Sequence, residues 1–330
     1  VIMLVKKADD YQSWYIEEDG FGILVDPWLD MKMHSKTSIL LLRTRAHKHN
    51  LEKDEIDKVK AIIITAPFID HLHLPTLKNL GLEKTIYSSN LVKRILKKKK
   101  IRNKFENIKK VSKIGPFFIS TYRAGFPYGG ISFSFLISNK NKRSIYHEGH
   151  ILNKKVISSN NIKPDVAILT AESVKLLGLI PLSMGEKKTL ESLTLLNAKK
   201  MMVTGTCPQD LKGLISKFLV TKELNLEILN KSRIEYYYRL GDKIILWNFL
   251  KLSKYKWEKS LLVLNKINKS YSENNVIKDF CFNFNLNQIY KLSGPNGIGK
   301  TSLLKIIKGI LIEDSGTIKF KDKEKYRDKV

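Results

Sequence analysis

Short apolar runs alternate with segments of helical periodicity over the first 250 residues. Residues 14–16 and 22–28 predict a β-hairpin with its turn at residues 17–20, and the β-branched run at residues 61–65 predicts a buried strand. Further strands are predicted at residues 117–122, 131–138, 144–146, 166–170 and 201–204. Helices are predicted at residues 76–80, 91–99, 189–197 and 210–217. Strands and helices that alternate in this way predict a mixed α/β domain.

A second pattern begins after residue 260. Apolar residues at 261–267 and 289–292 predict two strands, and residues 302–308 carry apolar side chains at helical spacing. Between the second of these strands and this helix lies GPNGIGKT, residues 294–301, which fits the G-x-x-x-x-G-K-[ST] pattern of a phosphate-binding P-loop. Because strand, glycine loop and helix follow in the order that the motif requires, the segment predicts nucleotide binding.

The P-loop residues are suited to hold a nucleotide phosphate together with Mg²⁺. Glycines allow successive backbone N–H groups to converge on phosphate oxygens, and the helix N-terminus adds partial positive charge. Lys300 is placed to reach the β and γ phosphates, and the hydroxyl of Thr301 is placed to ligate Mg²⁺. The predicted nucleotide-binding residues of this segment are Gly294, Asn296, Gly297, Gly299, Lys300, Thr301 and Ser302. The alternative is a glycine turn before an ordinary helix.

Residues 261–320 resemble the start of the ATPase domain of ABC transporters, and the resemblance implies a strand at residues 276–284. The resemblance implies ATP with Mg²⁺ as the ligand. It places Tyr271, 29 residues before Lys300, where the family has an aromatic residue that stacks on adenine. The alternative for Tyr271 is a surface tyrosine in a turn. Gln288 departs from the family, which usually has glycine there. The resemblance also implies two partners, a transporter membrane subunit and a second ATPase subunit.

The later motifs of that ATPase family do not follow within these 330 residues. The family's glutamine loop, signature helix, Walker B carboxylates and switch histidine belong beyond residue 330. Phosphoryl transfer needs a metal that is held from both sides and an oriented water molecule. We therefore expect that this chain alone binds ATP without turning it over, and that it is a fragment or the product of an incomplete gene.

The charge balance is strongly basic, with 59 Lys and Arg against 32 Asp and Glu and a net charge of +27. Only nine of the basic residues are Arg, and phosphate groups bind Arg forks better than scattered Lys. The densest run, residues 91–113, holds eleven basic side chains and one acidic one, and we expect it to be a solvated basic face. No nucleic-acid partner is therefore expected.

Cysteine usage and hydropathy restrict the cellular setting. The two cysteines, Cys207 and Cys281, have the spacing of neither a disulfide framework nor a metal site. No apolar stretch reaches transmembrane length, and no secretory signal is visible in this sequence. We therefore expect a cytoplasmic protein, or one held at the inner face of a membrane through a transporter partner.

The first 250 residues contain the segments ILVDPWL at residues 23–29, IITAPFIDHL at residues 63–72 and PDVAIL at residues 164–169. Through these segments this part of the chain resembles the metallo-β-lactamase fold, most closely its lactonase-like hydrolase branch. The resemblance implies an α/β fold in which residues 1–255 form an αββα sandwich and residues 256–330 form the truncated N-terminal part of an ABC-type ATP-binding domain. Proteins of this fold usually bind two metal ions through an H-x-H-x-D-H loop after a buried strand.

That metal-binding loop is degenerate in this sequence. With Thr65 as the register, Ala66 and Phe68 stand where the first two histidines of the family belong. The side chains that could still converge on zinc or another divalent metal are Asp70, His71, His73, Glu148 and His150. The alternative is that Asp70 and His71 are remnants of a lost site that now make loop hydrogen bonds, since Ala and Phe cannot ligate a metal.

Three functions remain open from the sequence. The first is an ATP-binding, ABC-type segment fused to a degenerate hydrolase-fold domain. The second is a metal-dependent hydrolase of the metallo-β-lactamase superfamily, and the third is a non-catalytic scaffold domain. Whether the chain is an enzyme stays undecided, because each candidate site lacks groups that catalysis needs, and the sequence identifies neither catalytic residues nor a substrate. The two parts are either a genuine fusion or a joining of two neighbouring genes.

Overall fold

The chain divides into two units in the computed structural model, Val1–Asn248 and Phe249–Val330. The structure describes residues 2–32, 42–205, 210–222, 229, 234–247, 260–271, 274–285, 290, 292, 297–320 and 323–324. The boundary predicted between residues 255 and 256 lies outside the described residues, so its position remains a prediction.

Nineteen strands and five α-helices are described in the first unit. The strands are β1 (Ile2–Lys7), β2 (Trp14–Glu18), β3 (Phe21–Val25), β4 (Leu42–Thr44), β5 (Val59–Ile63), β6 (Thr85–Ser88), β7 (Phe105–Asn107), β8 (Val111–Ile114), β9 (Phe117–Arg123), β10 (Phe133–Ser138), β11 (Ser144–Glu148), β12 (Val166–Thr170), β13 (Ser173–Leu176), β14 (Ile180–Pro181), β15 (Lys200–Thr204), β16 (Asp210–Lys212), β17 (Leu219–Lys222), β18 (Glu235–Tyr237) and β19 (Lys243–Trp247). The helices are α1 (Lys53–Lys58), α2 (Leu74–Asn79), α3 (Asn90–Lys98), α4 (Lys154–Asn160) and α5 (Gly185–Leu196).

Two seven-stranded sheets form the centre of this unit. Their strand orders are β19-β1-β2-β3-β5-β6-β7 and β18-β15-β12-β11-β10-β9-β8. In the first sheet β3, β5, β6 and β7 run parallel, and in the second β11, β12, β15 and β18 run parallel. The carboxyl ends of the parallel strands within each sheet therefore share an edge, and the polar residues that follow the strands lie there.

The inner faces of the two sheets pack on each other in one apolar core. Buried side chains of the first sheet, such as Trp14 and Ile63, belong to the same cluster as Phe117, Phe135 and Ile168 of the second. Burial of each such side chain contributes about 1.5–3 kcal/mol. The β-branched runs that predict strands are therefore the residues that hold the two sheets together.

Helices cover the outer face of each sheet. Residues of α2 and α3, such as Leu77 and Val92, pack with Ile62 on the outside of the first sheet. Ile157 of α4 and Leu193 of α5 belong to the cluster on the outside of the second sheet. The resulting order of layers, helix, sheet, sheet and helix, confirms the predicted αββα sandwich.

Local capping residues fix where these helices begin and end. The side chain of His73 accepts a hydrogen bond from Thr76 N at the start of α2, and Ser89 does the same for Val92 N in α3. Asn161 and Asn197 adopt left-handed conformations at the ends of α4 and α5. The helix predicted at residues 210–217 is wrong, because this segment forms strand β16, which pairs with β4, followed by a short 3-10 helix at Ile215–Phe218.

Strands β13, β14 and β17 form a separate three-stranded sheet in the order β14-β13-β17. This sheet begins directly after β12 in the chain.

No helix in the described part of the chain is long and apolar enough to span a bilayer.

The second unit is smaller and is built around an antiparallel sheet. Its described elements are β20 (Ser260–Tyr271), β21 (Asn274–Asn285), α6 (Lys300–Ile307), β22 (Ser315–Phe320) and β23 (Lys323–Glu324), and the sheet order is β21-β20-β22-β23. Leu303 and Ile306 of α6 pack with Leu264, Ile267 and Ile318 of the sheet. The strands expected at 261–267 and 276–284 and the helix predicted at 302–308 are therefore present. Two of the four residues of the predicted strand 289–292, residues 289 and 291, lie outside the described residues.

Candidate functional site

Asp26 organises the edge of the sandwich where the metal loop of the resembled family would lie. It follows β3 in a left-handed conformation (φ 45°) and is fully buried. Its carboxylate accepts hydrogen bonds from Thr65 N at 2.7 Å and Thr65 Oγ1 at 2.5 Å, and lies 2.8 Å from His71 Nδ1. Asp26 thereby fixes the loop after β5, although sequence reasoning did not select it as a site residue.

His71 is held by this carboxylate and by a second imidazole. Burial acts to lower its pKa, but the nearby carboxylates of Asp26 and Asp70 outweigh burial, so the pKa of His71 is raised. Its ring stacks on the ring of His150, with 4.6 Å between the centroids and 10° between the planes. His71 is therefore positioned on one side by hydrogen bonding and on its face by stacking.

The end of β11 contributes three buried titratable side chains, His147, Glu148 and His150. Glu148 Oε1 accepts a hydrogen bond from His150 N at 3.0 Å. Within the described part of the chain, both ring nitrogens of His147, Glu148 Oε2 and His150 Nδ1 have no hydrogen-bond partner. Burial lowers the pKa of His147 to about 4, lowers the pKa of His150 and raises the pKa of Glu148 to about 8. Near neutral pH this cluster is therefore largely uncharged.

The Asp70 carboxylate contacts two neighbouring side chains. The hydroxyl of Tyr11 donates to Asp70 Oδ2 at 3.0 Å, and Nη1 of Arg43 lies 3.8 Å from the same oxygen. The Arg43 guanidinium also lies over the Tyr11 ring, 4.3 Å from its centroid. The charge of the carboxylate is thus balanced by a protein cation.

His73 acts as a helix cap. Its Nδ1 accepts from Thr76 N and lies 2.8 Å from Thr76 Oγ1. The ring is fully buried and packs near Trp28, with 5.9 Å between the centroids. These contacts direct His73 toward the start of α2.

Aromatic side chains take up the space beside the two stacked imidazoles. Phe68, which stands at a histidine position of the family motif, lies 6.2 Å from the His71 ring and 5.7 Å from the His150 ring between centroids. Tyr128 lies 3.9 Å from the His150 ring. Phe68 and Tyr128 also pack on each other. The loop that binds metal in the resembled family is therefore packed here with hydrocarbon and phenol groups.

This arrangement does not fit a metal ion. Zinc needs about three or four ligand atoms that converge on one point. The rings of His71 and His150 are stacked, so their in-plane lone pairs lie in different planes and do not converge on one point. Asp70 is hydrogen-bonded to Tyr11, and His73 is hydrogen-bonded to Thr76. Among the described residues no group of three or more His, Cys, Asp or Glu side chains is arranged to hold a metal. The five-residue ligand set predicted from the sequence remains a prediction that metal content must test.

The P-loop residues of the second unit surround the start of α6. Gly297 and Gly299 have φ values of 87° and 94°, and a Cβ on Gly299 would lie 2.7 Å from Val276 O. Only glycine fits at position 299 without moving the neighbouring strand. Lys300 and Thr301 form the first turn of α6. The predicted residues Gly294 and Asn296 lie outside the described residues.

Tyr271 lies at the end of β20 close to this helix. Its hydroxyl is 3.4 Å from Ser302 Oγ, and its ring is about half exposed. Asp314 secures the end of the strand through Lys269 Nζ at 2.5 Å and Ser270 N at 2.7 Å. The role of Tyr271 in stacking on a base remains a prediction.

Comparison with known proteins confirms the resemblance of the second unit. The ABC transporter family model matches residues 277–330. The ribose import ATP-binding protein RbsA of Halalkalibacterium halodurans is 44 % identical over 64 residues, which is 19 % of this chain and 13 % of that protein. The spermidine/putrescine import ATP-binding protein PotA of Aggregatibacter actinomycetemcomitans is 40 % identical over 60 residues, 18 % of this chain and 16 % of that protein. The chain thus spans a small part of the length of these relatives.

Solved structures confirm the fold of the first unit. An isothiocyanate hydrolase from Delia radicum gut bacteria matches with a TM-score of 0.57 and 14 % identity, covering 75 % of this chain and 100 % of that chain. A possible metal-dependent hydrolase from Veillonella parvula DSM 2008 matches with a TM-score of 0.56 and 13 % identity, covering 74 % of this chain and 100 % of that chain. At these identities the likeness shows the fold alone.

A family model described as beta-lactamase superfamily domain matches residues 9–204. The chain therefore joins a domain of this fold to an ABC-transporter-type segment. Because the match covers more than half of the chain, the chain belongs to the beta-lactamase superfamily.

Proposed function

We propose that the chain is an ATP-binding protein in which a hydrolase-fold domain without a resident metal serves as a non-catalytic module. The geometry of the P-loop supports the first part. The hydrogen bonds of Asp70 and His73 and the stacking of His71 on His150 support the second part. Each part has its own test.

ATP with Mg²⁺ is the ligand that the second unit is suited to bind. Lys300 would hold the phosphate, the Thr301 hydroxyl would meet Mg²⁺, and Tyr271 would stack on the base. Two observations carry this proposal. Gly297 and Gly299 adopt left-handed conformations before α6, and the Tyr271 hydroxyl lies 3.4 Å from Ser302 Oγ. Gly294 and Asn296 complete the proposed loop.

Binding of a fluorescent ATP analogue with Mg²⁺ tests this assignment. The Lys300→Ala variant should lose at least tenfold in affinity, because it removes the cation that faces the phosphates. Lys305→Ala, on the same helix, is the matched control and should bind as the parent chain does. Equal affinity of the parent and of Lys300→Ala would refute the proposed role of the P-loop.

Residues 1–330 alone are proposed to bind ATP without steady turnover. Hydrolysis needs a positioned water and metal ligands from both sides, and the motifs that supply them in ABC ATPases do not occur in this sequence. Phosphate release from the purified chain should not exceed that of Lys300→Ala. Turnover in the parent that Lys300→Ala abolishes would contradict this.

Partners of this chain are proposed from the ATPase resemblance. A transporter membrane subunit and a second ATPase subunit would place the chain in the cytoplasm, at the inner face of a membrane. The ABC transporter family model over residues 277–330 and the similarity to import ATP-binding proteins support this proposal. Recovery of a membrane subunit by affinity purification of the tagged chain from detergent extracts would test it. Equal recovery of the membrane subunit from the tagged strain and from an untagged strain would count against the proposal.

A metal-dependent hydrolase is the second candidate. The unpartnered polar atoms of Glu148 and His150 favour it, because buried polar atoms usually have partners. Titration of the purified protein with Zn²⁺ and Mn²⁺, followed by thermal melting, distinguishes the two candidates. A melting temperature that rises with metal and no longer rises in Glu148→Gln would favour the hydrolase.

A further inference from the structure

Exposed apolar side chains are concentrated on the small sheet formed by β13, β14 and β17. We call this region the apolar arm and define it as residues 173–181 and 214–222. Leu179 is 82 % exposed and Leu177 is 60 % exposed. Its other exposed apolar side chains are Ile180, Leu214, Ile215, Phe218 and Val220. An apolar cluster of this kind on a protein surface marks an interaction site.

The members of the cluster adjoin one another. Leu177 N donates to Phe218 O at 2.7 Å, so the tip of the β13–β14 hairpin lies against the residue that precedes β17. A Cβ on Gly178 would lie 4.0 Å from Val220 Cγ2. The hairpin tip and β17 therefore present one continuous apolar surface.

The turn of the hairpin holds a leucine where turn chemistry disfavours one. Leu177 and Gly178 have φ values of 53° and 69°, and Leu179 N donates to Leu176 O at 3.1 Å across the turn. Turns whose two central residues both have positive φ values favour Asn-Gly or Asp-Gly. A leucine there is strained and also exposed to water, so neither folding nor solubility accounts for it. Local rules broken in this way are typical of functional sites.

The apolar arm is also basic. It carries Lys175, Lys217 and Lys222, all exposed, and no Asp or Glu. In the strand register Lys175 lies opposite Val220, so a lysine and an exposed apolar side chain share one face of the sheet. The structure gives these three lysines no ion pair or hydrogen bond within the described residues. Their charges are therefore available to an anionic partner.

We infer that the apolar arm docks on an anionic membrane surface. Leu177, Leu179 and Phe218 enter the region between headgroups and acyl chains, and the lysines lie against lipid phosphate groups. A symmetric pairing of two copies through this face would bring lysines together with lysines, which disfavours self-association. An anionic bilayer complements both the apolar and the charged part of the arm.

The position of the arm links docking to the candidate site. The strand β13 follows β12, whose last residue, Thr170, donates its hydroxyl to His150 O at 2.9 Å. Gly185 N, at the start of α5, donates to Glu172 O at 3.1 Å and ties the base of the arm to the same edge. Docking would thus bring this edge of the sandwich close to the bilayer. The inference does not depend on ATP binding.

Co-sedimentation of the whole chain with vesicles tests the inference. The vesicles consist of phosphatidylcholine alone or of phosphatidylcholine with phosphatidylglycerol. The apolar variant combines Leu177→Ser, Leu179→Ser and Phe218→Ser. The charge variant combines Lys175→Gln, Lys217→Gln and Lys222→Gln. Two control variants alter exposed side chains elsewhere in the same unit: Leu82→Ser with Val111→Ser and Phe118→Ser, and Lys97→Gln with Lys98→Gln and Lys99→Gln.

The parent chain and both control variants should bind the anionic vesicles and not the neutral ones. The charge variant should lose about a hundredfold in affinity, because three lysines near an anionic surface each strengthen binding severalfold. The apolar variant should lose at least tenfold, with an unchanged thermal melting curve as evidence that it folds. The inference is overturned if the arm variants bind as the controls do, if only the Lys97–Lys99 variant loses binding, or if the apolar variant instead dissociates a dimer.

Discussion

Replacement of Glu148 by glutamine should stabilise the protein at alkaline pH. Burial raises the pKa of Glu148 from its ordinary value of 4.5 to about 8 in the folded chain. The folded state therefore favours the neutral acid. The contribution of Glu148 to the free energy of unfolding is largest below pH 4.5 and falls as the pH rises toward 8. For each pH unit between 4.5 and 8, the free energy of unfolding falls by about 1.4 kcal/mol. Above pH 9 the ionisation of Glu148 therefore lowers the free energy of unfolding by about 5 kcal/mol.

Glutamine keeps the acceptor for His150 N and cannot ionise. We expect Glu148→Gln to raise the free energy of unfolding by about 3–5 kcal/mol at pH 9 and by less than about 1 kcal/mol at pH 5. Urea denaturation followed by tryptophan fluorescence measures this, because Trp14 and Trp28 are fully buried in the first unit. Glu106→Gln, a surface change at a residue paired with exposed Lys104, is the control and should show no such pH dependence.

A bound metal ion would reverse the sign of this result. A divalent cation beside Glu148 would favour the carboxylate, so that its removal would cost stability. A Glu148→Gln variant that is less stable than the parent at pH 9 would therefore refute the reasoning. It would also make the metal-dependent hydrolase the leading candidate.

Three further predictions concern the two candidate sites. Gly299→Ala should weaken ATP-analogue binding by more than tenfold, because its Cβ would meet a backbone oxygen at 2.7 Å, whereas Gly297→Ala, with open space around it, should weaken binding less. Tyr271→Ala should weaken analogue binding by about tenfold through loss of base stacking, and Tyr271→Phe should restore it. Asp26→Ala should lower the free energy of unfolding by about 3–5 kcal/mol in urea denaturation, since it leaves buried partners uncompensated; an effect below about 1 kcal/mol would contradict the assigned network.

Local patterns were sufficient to predict much of the fold. The hairpin at residues 14–28 and the strand near residues 59–65 are present because their β-branched and aromatic residues pack into the core between the sheets. The segment 210–217 was predicted wrongly because its pairing partner, β4, is more than 160 residues away in the chain. Long-range pairing overrides local propensity there.

The candidate site was less predictable for the same physical reason. Residues 22–28 were interpreted as one strand, but Asp26 turns out of β3 and binds Thr65 and His71, which are 39 and 45 residues away. The family resemblance could name His71 and His150 as candidate ligands. It could not show that their rings stack, because stacking depends on how two sheet edges meet. The proline after Asp26 was the one local signal of the turn.

The metal content of the purified protein tests the central claim most directly. We expect elemental analysis of the 330-residue chain to find far less than one zinc, iron or manganese ion per chain, with the same result for the variant that combines Asp70→Ala and His71→Ala. One or more metal ions per chain in the parent, lost in that double variant, would contradict the account and show that the degenerate loop still binds metal.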